Sequence, residues 1–155
     1  YVKPGTLAEA VAAAAQGQAI VGAVIERDGA VLLLGPEDGP LALPETSLAE
    51  ANDPAALRAH LLRATGLPTH VGFVYSVYED RATHRQHIVY RCDAGFGAPT
   101  TGSFVPLDAL PFERIPDGPT RDILRRFAAE SALGNFSVYF GNEAGGRTPP
   151  LGKKA

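Results

Sequence analysis

The helix predicted over residues 54–65 carries the side chains whose types and spacing most suggest chemistry. His60 and Arg63 are one helical turn apart, so they share a face of that helix. An imidazole and a guanidinium placed in this way suit an anionic group such as a phosphate or a carboxylate. The alternative is that both are ordinary polar residues on an outer helix face.

Carboxylates on either side of this helix form a second candidate group. Glu45, Glu50 and Asp53 precede the helix, and Glu79 ends a long predicted strand. Oxygen ligands of this kind bind divalent cations, but acids in loops commonly serve as solvated helix caps. We therefore take Glu45 and Glu79 as candidate ligand-contacting residues and predict no metal site.

Histidine, cysteine and tyrosine residues elsewhere are explained more simply by structure. His84 and His87 could bind zinc, but a strand would place them on opposite faces. The lone Cys92 is expected to be buried and unreactive. Tyrosines on central strands could stack on a ligand, although aromatic strand residues more often form the core. They are Tyr75, Tyr78 and Tyr90.

The elements that position these residues alternate between strands and helices. The capping-box pattern Thr6-Leu7-Ala8-Glu9 predicts a helix over 6–16. Pro54 at the start and Gly66 at the end delimit the helix over 54–65, with Asn52 or Asp53 as its cap. The remaining predictions are a hairpin of strands 18–27 and 30–35, strands 70–79, 86–92, 102–107 and 135–141, and a helix over 120–132.

Composition limits the class of protein. A chain of 155 residues with 45% hydrophobic and 20% charged residues fits one globular domain. A formal net charge of −3 gives no reason to expect nucleic-acid binding. No apolar run approaches the length of a membrane span, and a single cysteine suits a reducing cytoplasm.

The order of these segments resembles the Nudix superfamily. The likeness covers roughly residues 18–130 and rests on AIVGAVIERDGAVLLL, LALP, DPAALRAHLLRATGL, GSFVPLDALPF and RDILRRFAAE, which follow each other as the family's opening hairpin, loop, helix, strand and closing helix do. The resemblance implies an α+β fold, a Nudix-like α/β/α sandwich with a mixed central sheet. Together with the predicted elements, it divides the chain into an N-terminal helix at 1–17, the Nudix-like domain at 18–133, an additional strand at 134–142 and a flexible tail at 143–155.

Nudix enzymes hydrolyse nucleoside diphosphates linked to another moiety, using Mg²⁺ held by glutamates on one helix face. The resemblance places those glutamates at His60, Arg63 and Ala64, and the two glycines of the preceding loop at Glu45 and Thr46. No carboxylate remains on the helix. The resemblance therefore implies a degenerate domain that lacks the usual metal-dependent hydrolysis.

Three functions remain open on this basis. The first is a catalytically degenerate Nudix-fold domain that binds a nucleotide or a small phosphorylated ligand, or has a regulatory or accessory role, with no cofactor. The second is a noncanonical hydrolase that uses Mg²⁺ and acids from loops. The third is a scaffold or dimerisation module. Because the chain begins at Tyr1, we expect a fused or partner domain; a homodimer is possible, and neither nucleic acid nor membrane is an expected partner.

Overall fold

The computed structural model describes residues 19–80, 84–133 and 139–141. Strand β1 spans Ala19–Arg27 and forms a hairpin with β2, Ala30–Leu33, through Asp28 and Gly29, which both have positive φ. The other elements are β3 Glu45–Ser47, α1 Pro54–Thr65, β4 Thr69–Asp80, β5 Arg85–Ala94, β6 Ser103–Pro106, α2 Pro119–Leu133 and β7 Tyr139–Gly141, with 3-10 turns at Leu107–Ala109 and Phe112–Arg114.

The strands of the described residues form one mixed sheet in the order β6-β2-β1-β5-β4-β7. Strand β1 is parallel to β5, and β4 is parallel to β7, whereas the other pairs are antiparallel. One edge of β1 is shared: β2 pairs with its end at Glu26 and Arg27, and β3 pairs with its beginning at Ile20–Gly22. Because β3 pairs with the beginning of β1, the segment that precedes α1 is part of the sheet.

Each face of the sheet packs against one helix. Strand residues alternate between the faces, so Val21, Ala23 and Ile25 contact the core under α1, while Val24 belongs to the core under α2. Phe127 of α2 is fully buried in that second core. The predicted α/β/α sandwich with a mixed sheet is thus confirmed.

Helix α1 has the predicted bounds and caps. The backbone N–H of Ala56 donates to Asp53 Oδ1 at 2.8 Å, and Gly66 has a φ of 76° at the other end. Leu57 and Leu61 are buried, as expected from their spacing. The spacing of Leu57, Leu61 and Leu62 predicts that all three face inward, but Leu62 is 49% exposed, because Thr65 completes the buried stripe of the helix instead.

The segment expected as a loop before α1 contains the short strand β3. Glu45 and Thr46, which stand where the resemblance places two glycines, pair with Gly22 and Val21 of β1. Side-chain-bearing residues suit an extended strand better than glycine does. Strand β3 was not predicted.

The predicted helix over 6–16, the 1–17 segment and the 143–155 tail lie outside the described residues. Strand β7 lies within the segment 134–142 and pairs with Ser76–Tyr78 of β4. No helix among the described residues has the length and apolar character needed to cross a membrane.

Candidate functional site

Three side chains from neighbouring strands meet on the α2-facing side of the sheet, and we name them the Glu45 cluster: Glu45, His87 and Tyr78. The His87 Nδ1 atom lies 3.9 Å from Glu45 Oε2. The imidazole stacks on the Tyr78 ring with centroids 4.7 Å apart and an interplanar angle of 15°. This stack follows from register, because Tyr78 of β4 and His87 of β5 are directly paired.

Gly22 explains how Glu45 reaches this face. Glu45 pairs with Gly22, whose missing side chain leaves room between β3 and β5. A Cβ atom at Gly22 would lie 3.6 Å from Glu45 Cγ and 3.8 Å from Val89 Cγ2. A larger side chain at this position would therefore occupy the space through which the carboxyl approaches the imidazole.

Burial shifts the pKa values of His87 and Glu45 in the directions that favour their neutral forms. Burial lowers the pKa of His87, an effect that nearby Asp80 opposes and Arg85 reinforces. Burial also raises the pKa of Glu45, although its side chain is 43% exposed and is therefore less affected than a buried carboxyl would be. At 3.9 Å the two groups are too far apart for a direct hydrogen bond. The pair can exchange a proton through a water or a ligand group placed between them.

His60 and Arg63 lie on α1, in the layer on the other side of the sheet from the Glu45 cluster. The His60 Nδ1 atom is 3.8 Å from Glu50 Oε2, and the His60 side chain is largely buried. Arg63 is exposed at the last turn of the helix. The two keep the shared helix face that their spacing predicts, and their role in binding an anion stays a prediction.

Glu79 is separated from Glu45 by the alternation of β4. It follows Tyr78 directly, so its side chain leaves the strand on the opposite face. It is half-buried and pairs in register with Gln86. The structure therefore brings Glu45 together with His87 and Tyr78, but not with His60, Arg63 or Glu79.

A second polar contact lies in the core under α2. Tyr75 Oη donates to Glu130 Oε1 at 2.7 Å, and both residues are buried. Burial is the first cause, and Glu130 the second, of the raised pKa of Tyr75. The Tyr75 ring also meets Phe127 edge-on at 5.4 Å. Sequence analysis did not single out Glu130; its place on the inward stripe of α2 was the available signal.

The structure also places the histidines considered as zinc ligands and the lone cysteine. Within the described residues, no group of three or more His, Cys, Asp or Glu side chains is positioned to hold a metal ion. His84 lies in the turn before β5 with a φ of 57°, and His87 lies in the strand itself. Cys92 is fully buried, as expected, and burial raises the pKa of its thiol to about 12.

The fold is similar to that of solved Nudix structures. A NUDIX hydrolase from Nitrosomonas europaea matches with a TM-score of 0.69 at 19% identity, over 81% of this chain and 77% of that chain. At this low identity the likeness concerns the fold alone. No protein-family model matches the chain.

Higher identity connects the chain to proteins named for flavin reduction. A probable flavin reductase of Rhizobium meliloti (strain 1021) is 44% identical over 155 residues, which are 99% of this chain and 49% of that protein. The reductase component of a flavin-dependent trigonelline monooxygenase from Acinetobacter baylyi (strain ATCC 33305 / BD413 / ADP1) is 30% identical over 133 residues, or 85% of this chain and 42% of the relative.

A solved structure agrees with these relatives. A protein of Sinorhizobium meliloti 1021, assigned as an oxidoreductase, has a TM-score of 0.76 and 41% identity over 88% of this chain and 47% of its own length. The chain thus spans about half the length of the relatives it matches.

These relatives correct the functional expectations from sequence. Membership of the Nudix superfamily, a degenerate hydrolase-like or pseudoenzyme role and the absence of a cofactor were wrong, because the relatives at 44% and 30% identity are named as reductases acting with flavin. The resemblance was one of shape. Turns and buried leucines specify a fold, whereas the reaction depends on the particular residues of the functional site.

Proposed function

We propose that this chain is a segment of a flavin reductase, an enzyme that passes a hydride from a reduced nicotinamide nucleotide to a flavin. The supporting observation is the 44% identity to a probable flavin reductase across 99% of the chain. The activity is proposed for a longer protein, since the chain spans 49% and 42% of the two relatives.

The cavity between the 36–40 loop and residues 113–116 does not fit a flavin. Cofactor pockets enclose most of their ligand in a cleft of about 300–1,000 Å³. One cavity here, of about 310 Å³, opens to solvent between the 36–40 loop and residues 113–116. Its lining includes the carboxylates of Asp38 and Glu113, which would repel a flavin phosphate.

The arginine in that cavity is already engaged. Arg114 donates from Nε to Gly39 O at 3.2 Å and from a terminal nitrogen to Pro36 O at 2.9 Å, and it also contacts Glu37 O. These bonds hold the 36–40 loop against the turn at Phe112–Arg114. The guanidinium thus stabilises the loop, and its donors are already used by backbone carbonyls, so it is poorly placed to bind a phosphate.

The two faces of the sheet are filled. The α1 face is packed with the side chains around Leu57 and Leu61, and the α2 face with those around Tyr75 and Phe127. We assign the flavin to the part of the longer protein that this chain does not span.

Two further assignments belong to the same proposal. The Acinetobacter relative is named as one component of a flavin-dependent monooxygenase, so we assign to this protein a partner that consumes reduced flavin. The cytoplasm is the proposed location, because reduced nicotinamide nucleotides are available there and the single cysteine needs no oxidising compartment.

A chimera tests the proposed function. The segment of the Rhizobium meliloti relative that matches this chain is replaced by the chain itself, and oxidation of the reduced nicotinamide nucleotide is followed with flavin mononucleotide or flavin adenine dinucleotide. We expect the chimera to reduce flavin at a rate close to that of the unaltered relative, and the chain alone to show no reduction. A folded but inactive chimera beside an active relative would contradict the proposal.

A further inference from the structure

The loop after β5 presents an aromatic side chain to solvent. Phe96 is 97% exposed and lies between Gly95 and Gly97. Gly97 has a φ of 106°, a conformation that side-chain-bearing residues rarely adopt, although a Cβ there would meet no other atom. The residue after Phe96 thus has a backbone conformation that favours glycine.

The loop is held firmly on the side of Arg27. One terminal nitrogen of the Arg27 guanidinium donates to Gly95 O at 2.9 Å and to Gly97 O at 2.7 Å. The same guanidinium lies over the Phe104 ring, 4.3 Å from its centroid. Both carbonyls that flank Phe96 are therefore fixed by one arginine that is itself held in place.

The loop is also bonded to the end of α1 and the segment after it. The N–H of Gly95 donates to Pro68 O at 2.7 Å, and the N–H of Thr100 donates to Thr65 O at 2.7 Å. An exposed aromatic ring on a fixed loop loses little conformational entropy when it is buried by a partner. This is the property of an interface anchor rather than of a flexible surface residue.

The loop that carries Phe96 has no charged side chain of its own from Ala94 to Ser103. The charged group that contacts its backbone is the Arg27 guanidinium. Leu62, 49% exposed, lies one turn before Gly66, and Gly66 is in contact with Thr100 of the loop. Charge depletion with an aromatic at the centre is typical of the core of a protein interface.

We propose that the loop Ala94–Ser103, with Phe96 as its anchor, is the surface through which this chain contacts the flavin-holding portion of a longer reductase. The inference rests on the proposed function. It commits to that portion because the relatives extend to about twice the matched length: the chain covers 49% of one and 47% of the structure assigned as an oxidoreductase. A domain joined to a second one of similar size needs such a contact if the two are to hold a defined arrangement.

Site-specific photocross-linking in the chimera described above tests this surface. Phe96→p-benzoylphenylalanine is compared with Leu133→p-benzoylphenylalanine, because Leu133 is also exposed, at 71%, but lies at the end of α2. We expect position 96 to cross-link to the portion of the same molecule contributed by the relative, and position 133 not to. Cross-links from position 96 to a second copy, to its own segment or to nothing would overturn the proposal.

A binding measurement gives an independent result. The chain and the remainder of the Rhizobium meliloti relative are produced separately and titrated. Phe96→Ser should raise the Kd by about tenfold or more, as loss of an aromatic anchor does, and Leu133→Ser should leave it unchanged. Equal Kd values for the two variants would overturn the interface. An inactive wild-type chimera that still cross-links at position 96 would instead contradict the proposed function and leave the interface standing.

Discussion

Tyr75 and Glu130 form a buried polar contact whose energetic value can be measured. The 2.7 Å hydrogen bond joins β4 to α2 across the core. Tyr75→Phe removes the donor and leaves a carboxyl oxygen of Glu130 without it. We expect a loss of about 1–3 kcal/mol in the free energy of unfolding, measured by urea denaturation.

Tyr78 supplies the matched control for that substitution. It is buried in the same core, at 3% exposure, and no hydrogen bond from its hydroxyl is seen among the described residues. Tyr78→Phe should therefore cost less than about 1 kcal/mol. Equal losses from the two substitutions would show that the Tyr75–Glu130 bond adds no stability.

His87 should give the fold a dependence on pH. Burial lowers its pKa in the folded protein below the ordinary value of 6.5. The unfolded chain then binds a proton more readily, so the stability that His87 provides is present above pH 6.5 and is lost as the pH falls through the folded pKa. Glu45 acts with the opposite sign, because its raised pKa favours the folded state at low pH, below the ordinary value of 4.5.

His87→Gln isolates the histidine contribution, since Glu45 is present in both proteins. We expect the free energy of unfolding of the wild type to decrease more steeply than that of the variant as the pH falls below 6.5. His70→Gln, at an exposed position of β4, is the control and should leave the slope unchanged. A wild-type slope retained in His87→Gln would show that other groups cause it.

At the scale of elements, Gly66 connects the end of α1 to the Phe96 loop. Its φ is 76°, and a Cβ there would lie 2.7 Å from Thr100 Cγ2 and 2.8 Å from Thr100 Oγ1. Thr100 cannot move away easily, because its N–H is bonded to Thr65 O. Gly66 therefore both ends α1 and lets Thr100 of the loop pack closely against the helix end.

The substitutions Gly66→Ala and Gly29→Ala separate the two constraints on Gly66, which are its positive φ and the close approach of Thr100. Gly29 has a similar φ of 78° but no atom within 4 Å of the added Cβ. Gly29→Ala should cost about 1–2 kcal/mol from the backbone alone. Gly66→Ala should cost more, because Thr100 must also shift, and thermal unfolding of both variants measures the difference. Equal losses of stability in the two variants would mean that Thr100 and its loop shift without an energetic cost.

Elements differ in how well the sequence predicts them. Helix α1 was predicted with its limits because Asp53, Pro54 and Gly66 are local signals for a start and an end. Strand β3 was missed because its three residues pair with β1, a partner that is distant in sequence. Local chemistry defines caps and turns, whereas a short strand exists only where a neighbour offers its edge.

At the scale of the whole molecule, the fold and the relatives indicate different things. Nudix structures share the sandwich, at 19% identity in the case compared. The relatives at 44% and 30% identity are named for flavin reduction. The fold alone suggests a hydrolase. The sequence identity over 99% and 85% of the chain instead points to relatives named for flavin reduction.

A truncation tests where the flavin is held. The Rhizobium meliloti relative is produced without the segment that matches this chain. Because the cavity at the 36–40 loop does not fit a flavin, we expect the remainder to bind added flavin mononucleotide as the full-length relative does, measured by the change in visible absorbance on titration. A remainder that is folded by circular dichroism but no longer binds the flavin would place part of the flavin site in this segment.

The sequence by itself determined the layered α+β fold, the caps of α1 and the burial of Cys92. The caps and the burial of Cys92 follow from apolar periodicity and from residues whose backbone preferences act over a few positions. The layered fold follows from the order of the segments and its resemblance to the Nudix superfamily. It also determined that the helix face of His60 and Arg63 has no carboxylates.

Only the tertiary structure decided that Glu45 meets His87 and Tyr78, that Glu79 does not, and that Arg27 fixes the two carbonyls beside Phe96. Each of these depends on strand register and on contacts between residues far apart in the chain. A one-residue change in register would move a side chain to the other face of the sheet, and no local pattern in the sequence specifies that choice.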